Sequence, residues 1–187
     1  DGGREKRVAR VFLSIGSNLG KRRQNLQAAI QRLRAAEGIR LLEVSRLYET
    51  EPWERAPGQI GSRAGWFLNC VVAVETGLAP AALLSATQEI EAALGRARSG
   101  APQEAGRYEP RTLDIDILLY GEKVLSASDD LHIPHLLMHE RGFVLRPLAD
   151  LAPEFEHPVL YQTVRELLAG LEDNHQVVPA DFPSGWW

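Results

Sequence analysis

Two aspartates one residue apart stand in the run Arg111-Thr112-Leu113-Asp114-Ile115-Asp116-Ile117-Leu118-Leu119. Alternate residues of a strand face the same way, so Asp114 and Asp116 project together while Leu113, Ile115 and Ile117 turn toward a core. Neighbouring carboxylates repel unless a cation lies between them. Magnesium commonly takes one or two carboxylates plus substrate phosphates, and two such ions can clamp a phosphoryl group in transfer. An isolated D-x-D pair is more often a solvated strand face. Here Arg96, Arg98, Arg107 and Arg111 lie close in sequence and offer planar forks for phosphate oxygens. Arg96 and Arg98 also follow a predicted helix end, where cations complement the dipole. In Pro134-His135-Leu136-Leu137-Met138-His139-Glu140-Arg141-Gly142-Phe143, His135 and Arg141 have the chemistry to touch phosphate, and Phe143 to stack on a flat ring. The turn Gly16–Arg22 is not a P-loop. Gly16 to Gly20 is one residue short, and Arg22 stands where Ser or Thr should follow Lys21.

These residues need a scaffold, and the hydrophobic pattern predicts one. Residues 10–15 alternate as a strand, with Val11, Leu13 and Ile15 on one face and Phe12 and Ser14 on the other. Leu26, Ala29, Ile30 and Leu33 recur at helical spacing, with Gly38 as a stop. A second strand is expected over 40–49, with Leu42, Val44 and Tyr48 on one face, and a third over 67–75. Pro80 opens a second helix whose stripe is Leu83, Thr87, Ile90 and Leu94, capped by Gly95. A strand follows at Thr112–Tyr120. The order β-α-β-β-α-β predicts an α+β, ferredoxin-like core: a mostly antiparallel sheet with two helices on one face. C-terminal additions follow: a short strand near Val124, the Pro134-His135 loop and a helix near Val164–Leu171. Two polar loops containing Gly and Pro, 54–66 and 99–107, read as lids over a site.

Composition narrows the functional classes. With 187 residues, 44% hydrophobic and 25% charged, the chain is expected to form a single domain over 1–187, with residues 1–8 a flexible tail. A net charge of −4 and few strand aromatics argue against nucleic acid as a partner. The local arginines suit a small anion instead. No run approaches the roughly 18 apolar residues of a membrane span, and the N-terminus lacks an apolar signal region, so a cytoplasmic monomer is expected. Cys70, the single cysteine, sits in an apolar run and reads as a small buried hydrophobe.

Taken in order, the segments resemble the 6-hydroxymethyl-7,8-dihydropterin pyrophosphokinases of folate biosynthesis. The likeness runs from Phe12-Leu13-Ser14-Ile15-Gly16-Ser17-Asn18-Leu19 through Ser45-Arg46-Leu47-Tyr48-Glu49-Thr50-Glu51-Pro52 and Phe67-Leu68-Asn69. It continues through Gly95-Arg96-Ala97-Arg98, Pro110–Asp116, Pro134-His135 and Arg141-Gly142-Phe143 to about Pro158. The resemblance implies transfer of diphosphate from ATP to the pterin hydroxymethyl group, releasing AMP. It implies two magnesium ions on Asp114 and Asp116, and catalytic roles for Arg96, Arg98 and Arg111. ATP would meet Gln88, Arg98, Arg111, Ile117, His135 and Arg141. The pterin would meet Gly16, Thr50, Phe67, Asn69 and Phe143. Three departures stand out: Tyr108 where tryptophan is common, Leu136 where tyrosine is often found, and Trp53 with the long loop after it. The closing Trp186-Trp187 pair has no counterpart in this reading.

Overall fold

The computed structural model describes residues 7–95 and 112–187. Arg96, Arg98, Arg107, Tyr108 and Arg111, with the whole 99–107 loop, lie outside the described residues.

Strand β1 (Ala9–Ser17) is the middle of the molecule, and every residue from Val11 to Ser17 is buried. A strand buried on both sides needs cover on both sides. β1 pairs antiparallel with β4 (Phe67–Thr76) and with β5 (Asp114–Tyr120). β2 (Ile39–Val44) and β3 (Tyr48–Thr50) both pair with β4, giving the antiparallel sheet of a ferredoxin-like fold. One face carries α1 (Arg22–Ala35) and α2 (Pro80–Ala93). There Val11, Leu13 and Ile15 pack with Leu26, Ala29, Ile30 and Leu33 of α1 and with Leu83 and Ile90 of α2. Full burial of such side chains stabilises by about 1.5–3 kcal/mol each. Cys70 belongs to this core, and burial pushes its thiol up to about 12.

The single strand expected over 40–49 is two strands. The ladder with β4 shifts between Leu41 and Glu43, the signature of a bulge at Leu42. One extra residue reverses the faces. Leu42 packs into the second core, while Val44 packs into the first. The chain then leaves the ladder at Ser45, whose hydroxyl takes the N–H of Val71 at 2.8 Å. Tyr48 resumes pairing and donates to Asp150 Oδ2 at 2.8 Å.

The opposite face is where expectation was thinnest. It is covered by α3 (Gly142–Leu151) and α4 (Val164–Ala169), whose Val144, Leu145, Leu148, Val164 and Leu167 pack on Phe12, Val71, Ala73, Leu118 and Leu119. Helices therefore lie on both faces, not one. α3 is obscured in the sequence by Pro147, which lacks the N–H an interior helical position donates. Its apolar stripe is strong enough to hold the helix in spite of that lost bond. α4 begins with a capping box between Thr163 and Glu166. β6 (Leu125–Ser128) and β7 (Leu131–Ile133) form a separate hairpin. β8 (Val177–Pro179) adds to the outer edge of β3. Trp186 turns back into the α1/α2 core, its carbonyl accepting from Gln27, and stands edge-on to Trp187 at 6.1 Å.

Candidate active site

A cavity of about 580 Å³ opens on the α3 side of the sheet, over β5. The register decides what faces it. Ser14 lies opposite Asp116, and Gly16 lies opposite Asp114, so the two aspartates stand beside the small residues of β1. Gly16 also lies opposite Asn69 on its other side. A Cβ at Gly16 would overlap the Asn69 carboxamide oxygen, so only glycine lets that amide lie against the strand. Asn69 is buried and its Nδ2 donates to the Thr50 hydroxyl at 2.5 Å. Small residues and one anchored amide thus leave a polar floor beside a carboxylate pair.

β5 ends the path of paired strands among the described residues, so its outer edge meets side chains instead of another strand. Glu91 of α2 is buried there and accepts the Ile115 N–H at 3.3 Å. The cavity wraps round this edge, which is how Ile115, Ile117, Leu84 and Gln88 reach it although the isoleucines belong to the α1/α2 core. The turn entering β5 is held by Asn25, whose Nδ2 donates to the carbonyls of Leu19 (3.0 Å) and Thr112 (3.2 Å).

The facing wall comes from loops. His135 follows the cis Ile133–Pro134 peptide, and its N–H donates to the Leu118 carbonyl at 2.9 Å. Its Nδ1 accepts the Leu137 N–H at 3.3 Å, which leaves the ring proton on Nε2. Burial, then the neighbouring Arg141 charge, push this imidazole down to about 4 despite the opposing pull of Asp114. His135 is therefore a neutral donor at pH 7. Arg141 lies with its guanidinium 4.6 Å from the Trp53 ring centroid and 5.6 Å from that of Phe143. Its buried Nε has no hydrogen-bond partner among the described residues. Burial pulls Arg141 below its ordinary range, opposed by Asp116, Glu54, Asp114 and Glu140. An arginine held between rings with an unused donor is poised for an anionic ligand.

Gly16, Thr50, Phe67, Asn69, Gln88, Asp114, Asp116, Ile117, His135, Arg141 and Phe143 all line this one cavity. Arg96, Arg98 and Arg111 lie outside the described residues. The wall also holds side chains that spacing did not reveal: Ser14, Glu51, Trp53, Glu54, Glu91, Asp129, Asp130 and His132. Ser14 was within reach, since it shares the Gly16 face of β1. Asp129 and Asp130 form the tip of the β6–β7 hairpin and look like an ordinary polar turn in the sequence.

Residues 12–153 match the family of 7,8-dihydro-6-hydroxymethylpterin-pyrophosphokinases. This chain belongs to that family. Pyrophosphoryl transfer to hydroxymethyldihydropterin, a step of folate biosynthesis, is accordingly its reaction. A 2-amino-4-hydroxy-6-hydroxymethyldihydropteridine pyrophosphokinase of Methylorubrum extorquens is 40% identical over 165 residues, covering 88% of this chain and 95% of that one. A pyrophosphokinase of the same name from Porphyromonas gingivalis is 44% identical over 152 residues, covering 81% and 95%. The folic acid synthesis protein fol1 of Schizosaccharomyces pombe is 42% identical over 160 residues, 84% of this chain but 20% of that longer protein. Among solved structures, Plasmodium falciparum HPPK-DHPS A437G with STZ-DHP superposes with a TM-score of 0.65 at 16% identity, over 89% of this chain and 46% of the other. At that identity the likeness speaks for the pyrophosphokinase fold. The chain spans just under half of that structure's length. The described residues of this pyrophosphokinase include no helix long and apolar enough to cross a membrane.

Proposed function

We propose that this cavity holds ATP and the hydroxymethyl dihydropterin side by side, and that its residues divide the work as follows. The observation that carries the reading is the meeting, in one cavity, of a paired-carboxylate strand face with a buried amide and two phenylalanines. Asn69, anchored by Thr50 and seated against Gly16, can pair with the amide-like edge of a pterin. Phe67 and Phe143 offer flat apolar surface for the ring. Neutral His135 and Arg141 donate to phosphate oxygens, with Arg96, Arg98 and Arg111 joining them. Gln88 and Ile117 border the adenosine.

In the reaction the pterin hydroxyl oxygen attacks the β-phosphorus of ATP. The bond from that phosphorus to the oxygen bridging it to the α-phosphate breaks, AMP leaves, and the hydroxyl proton is released. Such a transfer asks the protein for positioning and charge stabilisation, not for a covalent nucleophile. Asp114 and Asp116 would hold magnesium. Among the described residues no three His, Cys, Asp or Glu side chains group as a metal cage, so phosphate oxygens and water would complete the ion's shell. When bound, the ions neutralise phosphate charge as it builds. The acidic wall itself, with Glu51, Glu54, Asp114, Asp116, Asp129 and Asp130, supports this reading, because it repels a polyphosphate unless cations intervene. We further take the protein to act as a monomer in the cytoplasm, with no membrane or nucleic-acid partner.

The test is an assay with ATP, magnesium and 6-hydroxymethyl-7,8-dihydropterin, scoring AMP against ADP. AMP in step with pterin diphosphate is expected, with dependence on added magnesium. ADP as product would mean transfer of a single phosphoryl group and would overturn the scheme.

A further inference from the structure

The residues that match the family end at 153, yet the chain continues and returns to the site. Its route passes Asp173 and His175. The Asp173 carboxylate accepts from the N–H of Gly142, at the start of α3, at 2.9 Å, and from the His175 N–H at 3.0 Å. The His175 ring then meets two acceptors. Nδ1 faces Asp173 Oδ1 at 2.5 Å, and Nε2 faces the Arg55 carbonyl. A carboxylate and a carbonyl are both acceptors, so the two ring nitrogens are set to donate and the site favours the protonated ring. Burial works against that charge, but the bonds to Arg55 and Asp173 prevail and hold the group above its ordinary range. Glu51, beside it, acts in the same direction.

The imidazolium stacks on Trp53, with centroids 6.4 Å apart and planes at 30°. Trp53 is the same ring on which the Arg141 guanidinium rests. The contacts form a continuous series: Asp173 fixes His175, His175 carries Trp53, and Trp53 carries Arg141. Asp173 closes it from the other end by gripping Gly142, the residue after Arg141. His175 and Asp173 side chains are 13% and 5% exposed, so water competes weakly with these bonds.

We propose that His175 is a positioning residue for the reaction, one that sets the Arg141 guanidinium on the transferring phosphates through Trp53. This rests on the reading of Arg141 as a phosphate ligand. It assigns the C-terminal segment a part in catalysis, not merely in closing the edge of β3. Misplacement of a catalytic group by ~1 Å can cost up to ~100-fold in rate, and a loosened arginine stays within reach of its target, so a partial loss is expected.

The experiment is a double-mutant cycle on the full chain, with kcat, both KM values and thermal melting measured for His175→Phe, Arg141→Ala and the pair. His175→Phe keeps a flat ring and loses both ring hydrogen bonds. We expect it to lower kcat about tenfold, with KM for the pterin within about twofold of the parent. In the Arg141→Ala background the same change should lower kcat no further, since two residues acting as a unit are not additive. Equal losses in both backgrounds would make His175 a structural residue and overturn the proposal. Normal kcat in His175→Phe with a loss in Arg141→Ala would overturn it while leaving the phosphate role of Arg141 standing. Normal kcat in Arg141→Ala would remove that role, and the proposal with it. Should His175→Phe fail to fold, Trp53→Ala breaks the series at its middle and carries the same expectations in both backgrounds.

Discussion

The two walls of the cavity are built on different supports. Ser14, Gly16, Asn69, Asp114 and Asp116 stand on β1, β4 and β5, whose ladders fix every backbone atom beneath them. Trp53, Glu54, His135 and Arg141 stand on connecting segments, held by scattered backbone bonds such as His135 N–H to the Leu118 carbonyl, by side-chain bonds to backbone and by ring contacts. The difference separates two needs of a two-substrate transfer. The carboxylates that would hold the metal and the amide that would seat the pterin need a fixed spacing, and paired strands supply it. A wall that admits substrates and then excludes water must be able to move, and the segment after β3, tied by the Glu51 side chain to Gly58 and Gln176, is held by bonds that can open one at a time.

The largest effect should fall on the strand wall. Asp114→Ala or Asp116→Ala should lower turnover by at least about a hundredfold, because metal-borne charge stabilisation is worth several kcal/mol. Melting temperature is followed alongside, so that lost turnover is separated from lost fold. AMP formation at saturating magnesium is the measurement, and near-normal rates in both variants would erase the distinction between the walls.

Glu51 tests the loop wall next. It is buried, and its two oxygens accept the N–H groups of Gly58 and Gln176, both at 2.7 Å. Glu51→Ala would remove both bonds; Gly58 and Gln176 are exposed, so water replaces the acceptor in part and the loss is about 0.5–1.5 kcal/mol each. We expect a lower melting temperature and faster tryptic cutting at Arg63. Unchanged cutting would show that the 51–66 segment does not depend on β8 for its place.

Asn69→Ala sharpens the comparison within the strand wall. It should weaken pterin binding by roughly 1–3 kcal/mol by leaving a polar edge unpaired, with ATP binding nearly unchanged. Calorimetry showing the reverse pattern would mean that pterin and nucleotide sides have been interchanged.

The smallest effect expected is a pH dependence confined to the loop wall. His175 is held above its ordinary value, so its contribution is complete below about 6.5, the unfolded value, and is lost as pH rises through the folded one. Asp173 is held below its ordinary value, by bonds from Gly142 and His175 that outweigh burial, so its contribution fails only in acid. Tryptic cutting at Arg63, corrected for the enzyme's own pH profile, should accelerate a few-fold on the alkaline side. His175→Phe should abolish that rise. A rise that persists in the variant would assign it to another group.

The ferredoxin-like core was legible because its signals are local. Leu26, Ala29, Ile30 and Leu33 announce one face of α1 through their spacing alone, and all four are buried. Asp114 and Asp116 share a strand face for the same reason, since a period of two needs no knowledge of the partner strand. Leu42 escaped because a bulge is a property of the pairing with β4, invisible in either strand by itself. α3 escaped because Pro147 outweighs the apolar stripe when the stripe has no visible partner.

Residue types and their order along the chain thus determined the two helices over one face, the carboxylate pair and the membership of the family. Only the tertiary structure decided that Trp53, Arg141 and His175, far apart in sequence, meet at one point. It also decided that Trp186 returns to the α1/α2 core. The physical reason is range. Periodicity reports which face of an element seeks burial, whereas contacts between loops depend on where the sheet brings their ends, and no pattern within either loop encodes that.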